Sequence, residues 1–381
     1  MPILRRLRRG YPVVVVTGPR QSGKTTLVQA LTPALPYVSL EDPDEREFAQ
    51  TDPRGFLARW PRGIVLDEIQ HCPQLFSYIQ TRVDASTRMG DYVLTGSQQF
   101  GLRASLGQSL AGRAGLLELL PFSITELAKA KRLPRELDVF LTKGAYPPLY
   151  SRRVAAPKWH LDYVSTYVER DVRQLLGVRN LALFQRFVRM CAARIGQLLN
   201  LSSLGNDLGI SHATAREWLS VLEASYIVFL LQPHHANLRK RLVKTPKLYF
   251  YDTGLASALL GIQQADHLSI HPSRPALFEN LVIAEELKRR FNLGLPSNLF
   301  FWRDNMGVEI DLVIDCGRTL QPVEIKSGST VTADFFSGLK RWVSYAGKLA
   351  GQPTLVYGGE QSFTREEVAV VGWRKGLPLS D

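Results

Sequence analysis

The sequence predicts an α/β protein that begins with a parallel sheet of the phosphate-binding kind. Three observations carry that expectation. The β-branched run Val13 to Val16 leads straight into a glycine-rich loop and then a helical pattern, in "VVVVTGPRQSGKTTLVQAL". A second apolar run, Ile64 to Leu66 in "RGIVLDEIQ", ends in two acids, and a third, "DYVLTGSQQF", ends in Ser97 and Gln98. Parallel sheets gather their ligand sites at the carboxyl ends of their strands, which is where these polar residues fall.

The loop fits the Walker A spacing, Gly18-x-x-x-x-Gly23-Lys24-Thr25, in the strand, loop and helix context that the motif requires. Gly18 and Gly23 allow backbone geometry that bulkier residues resist, so that successive N–H groups and a helix start point at phosphate oxygens. The candidate nucleotide-binding set runs through Gly18, Pro19, Arg20, Gln21, Ser22, Gly23, Lys24, Thr25 and Thr26. Lys24 is expected to reach the β- and γ-phosphates of ATP, and Thr25 to offer its hydroxyl to Mg²⁺. Asp67 fits the Mg²⁺-facing Walker B acid, Glu68 the base that polarises the attacking water, and Ser97 or Gln98 a sensor of the γ-phosphate.

At 381 residues the chain is expected to hold two or three domains, since single cores stop growing before that size. Cys72, Cys191 and Cys316 have no CxxC spacing, which argues against a disulfide framework or a zinc site and suits a reducing compartment. No apolar stretch approaches the ~20 residues that span a bilayer. The basic start "MPILRRLRRG" has no apolar core and cleavage site behind it, so a cytoplasmic protein without membrane partners is expected. The formal net charge is +12, and residues 151–250 hold 15 Lys and Arg against 6 Asp and Glu. A concentrated excess of that kind suggests a polyanionic partner, against the plainer reading of solvated helix faces.

Taken together, "GPRQSGKTT", "VLDEIQ", "LTGSQQF", "LAGRAGLLELLPFSITEL", "YVERDV", "LYFYDTGLASALLGI" and "FENLVIAEELKRR" resemble the prokaryotic AAA-type ATPases that bear a C-terminal domain of unknown function. The resemblance implies a P-loop NTPase of the AAA+ additional-strand class, followed by a winged helix and a nuclease-like tail. It also implies Ser97 as the sensor. Arg113 and Arg170 are the candidates for a charge-stabilising arginine, acting within the subunit or across to a neighbour in a homo-oligomer.

The basic middle has a pattern of its own. A short helical stretch ending at Leu208, a Gly-Ile-Ser turn and a second helix from about His212 to Glu223 give the rhythm of a helix-turn-helix, with Ala215, Leu219 and Leu222 as its apolar stripe. His212, Thr214, Arg216 and Glu217 are left to face outward, as a groove-reading helix requires. The two strands that follow enclose Arg239, Lys240, Arg241, Lys244 and Lys247, the makings of a basic wing that contacts DNA phosphates. The alternative is a platform for protein packing.

Near the C-terminal end, "GVEIDLVID" and "QPVEIKSG" place Asp311, Glu324 and Lys326 in the spacing D-x12-E-x-K across a hairpin turning at Cys316 to Thr319. Two acids and a lysine at one strand edge are able to hold Mg²⁺ and orient a hydrolytic water. This resembles the PD-(D/E)XK nuclease core, in which Glu279 of the preceding helix supplies a further metal-binding acid. Asp315 and Glu309 read as surface or structural acids.

The expected organisation is an ATPase domain over 1–128, a helical connector over 129–180, a winged helix over 181–262 and a nuclease-like domain over 263–381. The expected activity is ATP hydrolysis acting on DNA, with metal-dependent cleavage as an added activity. The alternative is a signalling NTPase whose C-terminal domains bind a protein partner and whose nuclease-like fold is inactive.

Overall fold

The computed structural model describes residues 2–97, 109–168, 180–234, 244–304 and 307–375. Gln98, Arg170, Arg239, Lys240 and Arg241 lie outside the described residues. The chain divides into two compact units, one of residues 1–121, 224–226 and 290–296 and one of residues 122–223, 227–289 and 297–381.

The first unit is built on five strands, β1 (Val13–Thr17), β2 (Tyr37–Ser39), β3 (Ile64–Asp67), β4 (Tyr92–Gly96) and β5 (Ala114–Glu118). All are parallel, in the order β2-β3-β4-β1-β5. β1 is flanked on both sides and its five residues are all buried, which explains why it reads as an unbroken apolar run instead of an alternating one. Its side chains alternate between two cores. Val13 and Val15 pack with Ile64, Leu66, Phe56 and Phe76 on one face. Val14 and Val16 pack with Val28, Val65 and Val93 on the other, where Ile3 and Leu4 of the N-terminal helix Pro2–Gly10 join them.

The second unit holds, among the described residues, an eight-stranded mixed sheet. Its strands are β6 (Val228–Pro233), β7 (Lys247–Phe250), β8 (Leu299–Arg303), β9 (Glu309–Asp315), β10 (Leu320–Lys326), β11 (Thr354–Tyr357), β12 (Phe363–Arg365) and β13 (Val368–Gly372), in the order β12-β13-β11-β10-β9-β8-β6-β7. β9 and β10 form an antiparallel hairpin closed by the Cys316 N–H on the Thr319 carbonyl (2.9 Å), the turn read from the sequence. Helix Ser337–Ala346 then returns the chain to β11, parallel to β10, and buries Leu339 and Trp342 against Trp302 and Ile310.

The helices Leu201–Leu208 and His212–Ala224 are joined by a turn at Gly209, whose φ of 68° suits glycine, and the antiparallel pair β6–β7 follows them. Ala215, Leu219 and Leu222 are buried, and His212, Arg216 and Glu217 are exposed. The expected break at 262/263 is crossed by backbone pairing, because β6 also runs parallel to β8. Gln232 and Pro233 thereby tie the β6–β7 ribbon into the larger sheet, and the three segments expected beyond residue 128 fall almost wholly in one unit. Among the described residues, no helix is long and apolar enough to cross a membrane.

Candidate functional site

The carboxyl ends of β1, β3 and β4 gather the first cluster. Gly18 adopts φ +148°, and a Cβ there would meet the Leu119 carbonyl oxygen at 2.0 Å, so the turn after β1 tolerates no side chain. Gly23, in the left-handed region at φ 93°, starts helix Lys24–Leu31. Between them, Ser22 Oγ is buried and has no hydrogen-bond partner among the described residues. A buried hydroxyl in that state is costly unless a ligand completes it. Thr26 is exposed in the first turn of the helix, and the Arg20 guanidinium lies 3.6 Å from the Glu41 carboxylate.

Lys24 is buried, and its ammonium donates to the Gly18 carbonyl (3.0 Å) and the Pro19 carbonyl (2.8 Å). Burial pushes its pKa down to about 8, against the opposing pull of Glu68 and Asp67. The Thr25 hydroxyl donates to Asp67 Oδ2 at 2.9 Å, so the helix start and the end of β3 meet at one carboxylate. Hydroxyl and carboxylate oxygens are the hard donors that Mg²⁺ prefers, and Thr25 and Asp67 fit that ion. Glu68 follows with φ 55°, an uncommon conformation for a non-glycine residue that turns its carboxylate toward Ser97, whose Oγ donates to Glu68 Oε2 at 3.1 Å. Gln70 bonds the same carboxylate and lies 3.4 Å from Ser97 Oγ.

Two residues of this cluster escaped the sequence reading. Thr95 donates to Asp67 Oδ1 and accepts the Glu68 N–H at 3.3 Å. Tyr37 donates to Asp67 Oδ2 at 2.6 Å, and burial together with that bond raises its phenol pKa well above the ordinary value. A polar residue in the apolar strand "YVLTG" was a usable signal for Thr95. Tyr37 offered none, since only the sheet order brings β2 beside β3.

Arg113 stands elsewhere. It precedes β5 and its carbonyl accepts the Val13 N–H, which puts it at the opposite end of the strands from the loop after Thr17. Its guanidinium is tied to Asp84, with Nη2 3.0 Å from Oδ2. Within its own subunit Arg113 therefore sits away from the loop after Thr17, paired with Asp84.

The second cluster lies in the other unit, on β9, β10 and helix Arg274–Asn292. Asp311 accepts the Ile325 N–H at 2.8 Å, and Lys326 bonds Glu324 and lies 3.9 Å from Asp311. Glu324 Oε2 is buried without a partner. Burial and the neighbouring Asp311 raise Glu324 to about 7, and the same two causes raise Glu279 to about 7. Glu279, Asp311 and Lys326 line a cavity of about 290 Å³ together with Pro275 and Phe335, and Glu324 is not part of its wall.

Glu279 is not free to join them on one ion. It is held by Lys247 (3.2 Å) and by the Tyr249 hydroxyl. Among the described residues, no three His, Cys, Asp or Glu side chains are disposed to share a metal, so the expected trio Glu279, Asp311 and Glu324 is not assembled as a metal site. Lys247 corrects a second expectation. Read from sequence as a wing lysine for phosphates, it is 2% exposed and clamped between Glu279 and Glu309, whose other oxygen lies 3.2 Å from Arg303. Burial alone would lower its pKa, but those acids raise it.

Comparison with known proteins matches three segments to described families. Residues 10–128 match an AAA domain, residues 134–266 one domain of unknown function (DUF8612) and residues 274–375 another (DUF4143). Uncharacterised proteins of Mycobacterium tuberculosis and Mycobacterium bovis are each 33% identical to the chain over 331 residues, spanning 86% of it and 73% of their own length. Among solved structures, a Walker-type ATPase of Pyrococcus abyssi is similar at 15% identity and a TM-score of 0.44, over 67% of this chain and 93% of that one. AMPPCP-bound DnaA of Aquifex aeolicus gives 14% identity and 0.30 over 58% and 85%.

Proposed function

The chain belongs to the family of those mycobacterial proteins and carries an AAA ATPase domain, and from that premise we propose that it hydrolyses ATP and uses the cycle to act on DNA. The observation that carries the hydrolytic part is the junction at Asp67 and Glu68. Thr25 from the first turn of helix Lys24–Leu31, Thr95 of β4, Ser97 just after it and Gln70 hold two adjacent carboxylates at the end of one strand. Incoming phosphates exchange with the Gly18 and Pro19 carbonyls for the Lys24 ammonium, and Ser22 gains the partner it lacks. Glu68 accepts a proton from the attacking water, oriented by Ser97 and Gln70. Mg²⁺, held by Thr25 and Asp67, supplies neutralisation of phosphate charge when bound.

The DNA part rests on charge, 15 basic against 6 acidic residues over 151–250, and on the exposed His212, Arg216 and Glu217 of helix His212–Ala224. The C-terminal cluster is read as a nuclease-like scaffold that does not cut. Its acids are already answered by Lys247 and Lys326, and a divalent ion has to displace them. Cleavage is the second reading, favoured by the unpartnered Glu324 Oε2.

The test is the ATPase rate with and without DNA across a salt series. Stimulation that fades with salt is expected, because phosphate contacts release counterions. A rate indifferent to DNA at every salt concentration, with no DNA retained, favours the signalling NTPase. Nicking in Mg²⁺ or Mn²⁺ that Glu324→Gln abolishes, with ATP hydrolysis intact, would overturn the non-cutting reading.

A further inference from the structure

A separate basic feature lies within the second unit, sharing no residue with either cluster. A cavity of about 460 Å³ is lined by Lys143 at the end of helix Leu137–Lys143, by Arg152 and Arg153 after the short helix Pro148–Ser151, by Ala156 and Pro157 at the start of helix Ala156–Tyr163, and by Gln263 and Gln264. Among the described residues, three cations line it and no acid does.

Their surroundings leave those charges unanswered. Among the described residues, neither Arg152 nor Arg153 forms a side-chain ion pair. Lys143 is half-buried, and its ammonium sits 4.2 Å from the centre of the Tyr150 ring, on a π face and not on a carboxylate. Burial, with Arg132 nearby, lowers its pKa. Lys247 and Lys326, which bond carboxylates directly, have their pKa raised instead. The start of helix Ala156–Tyr163 has no side-chain cap, and the positive end of the helix dipole adds to the same wall, although Pro157 there carries no N–H. Like charges converging on a concave wall repel one another, and an anion that bridges them relieves that cost.

We propose that this cavity is a phosphate-binding site, in which Arg152 and Arg153 grip the oxygens from the rim and Lys143 neutralises them from within. Arginine forks suit phosphate because they donate two parallel hydrogen bonds to it. The glutamines add neutral donors. The phosphate belongs either to a nucleic-acid backbone or to a free phosphorylated small molecule, and the site stands whether or not the DNA reading holds.

The test uses the full chain carrying Lys24→Ala, so that the nucleotide loop does not contribute, compared with the same chain carrying Arg152→Glu and Arg153→Glu. Both arginines are exposed, so an unchanged melting temperature without ligand is expected. One arm measures the anisotropy of a fluorescein-labelled 20-mer oligonucleotide over a salt series. A tenfold or greater loss of affinity, with the salt slope reduced by about one per contact removed, identifies a backbone phosphate. The other arm measures stabilisation by pyrophosphate. A melting shift present in the parent, lost on charge reversal and retained by Arg152→Lys with Arg153→Lys, identifies a free phosphate. If charge reversal changes neither the oligonucleotide affinity and its salt slope nor the pyrophosphate shift, the site does not exist.

Discussion

Both described clusters set lysines among acids at strand ends, yet they leave different charges unanswered. In the nucleotide unit the Lys24 ammonium spends its hydrogen bonds on two backbone carbonyls, while Asp67 and Glu68 are held by hydroxyls and an amide. In the other unit Lys247 and Lys326 are bonded directly to carboxylates. A carbonyl dipole yields readily to a phosphate oxygen, whereas a buried carboxylate does not. The first arrangement therefore keeps its cation for a ligand, and the second consumes its cations internally. Residue types alone do not separate a working phosphate site from a neutralised one; the partner of the ammonium does.

The sharpest break of that comparison is Lys24→Ala. Its expected result is a loss of ATP hydrolysis of about 10³-fold or more, the scale of removing a charge that stabilises phosphoryl transfer. The fold is retained, because a buried cation without a carboxylate partner costs desolvation and its removal relieves that cost. A wild-type rate, measured by phosphate release, would remove Lys24 from the mechanism. Glu68→Gln separates the roles within the same cluster: ATP stays bound while hydrolysis falls to the same degree. Equal loss of nucleotide binding in both variants would merge those roles.

Lys247→Met probes the other side. It leaves the partly buried Glu279 and Glu309 without their ammonium, with only the Tyr249 hydroxyl and Arg303 still answering them. Breaking a fully buried pair costs about 3–5 kcal/mol, so a loss at or below the lower end of that range is expected. A melting temperature lowered by several degrees is expected, where Lys24→Met leaves it level or higher. If both substitutions lower the melting temperature equally, the distinction between dipole-held and acid-held lysines fails.

How much of this was legible in the sequence depended on distance along the chain. The loop after β1 and the acids after β3 were readable because the strand, turn and helix that position them are contiguous. The hairpin of β9 and β10 was readable for the same reason, as were Asp311 and Lys326 on its two strands. What failed depended on pairing between distant segments. Lys247 looked like a wing residue because nothing local records that helix Arg274–Asn292 and β9 bring Glu279 and Glu309 to it. Arg113 was read as acting within the subunit or across to a neighbour, and only the pairing of β5 with β1 shows that it stands at the strand-start end, away from the loop after Thr17. Tyr37 reaches Asp67 only because β2 pairs with β3.

The smallest effect expected is a difference in the sign of pH dependence. Glu279 and Glu324 rise from an ordinary 4.5 to about 7 in the folded protein. Between those values the native state holds more protons than the unfolded chain, so their contribution to stability is complete below about 4.5 and is lost as pH rises through about 7. Lys24 falls from 10.5 to about 8, so the unfolded chain holds the extra proton between those values and stability rises with pH across that higher window. Each is worth at most on the order of 1 kcal/mol per proton per pH unit. Calorimetric scans from pH 4.5 to 10 are expected to show one transition falling over the lower window and one, identified by its stabilisation with ATP, rising over the upper. Glu324→Gln flattens the first slope because its amide does not titrate, and Lys24→Ala flattens the second. Slopes of the same sign in both windows, or a first slope unmoved by Glu324→Gln, would show that the two clusters are not charged in the opposed way drawn from their hydrogen bonds.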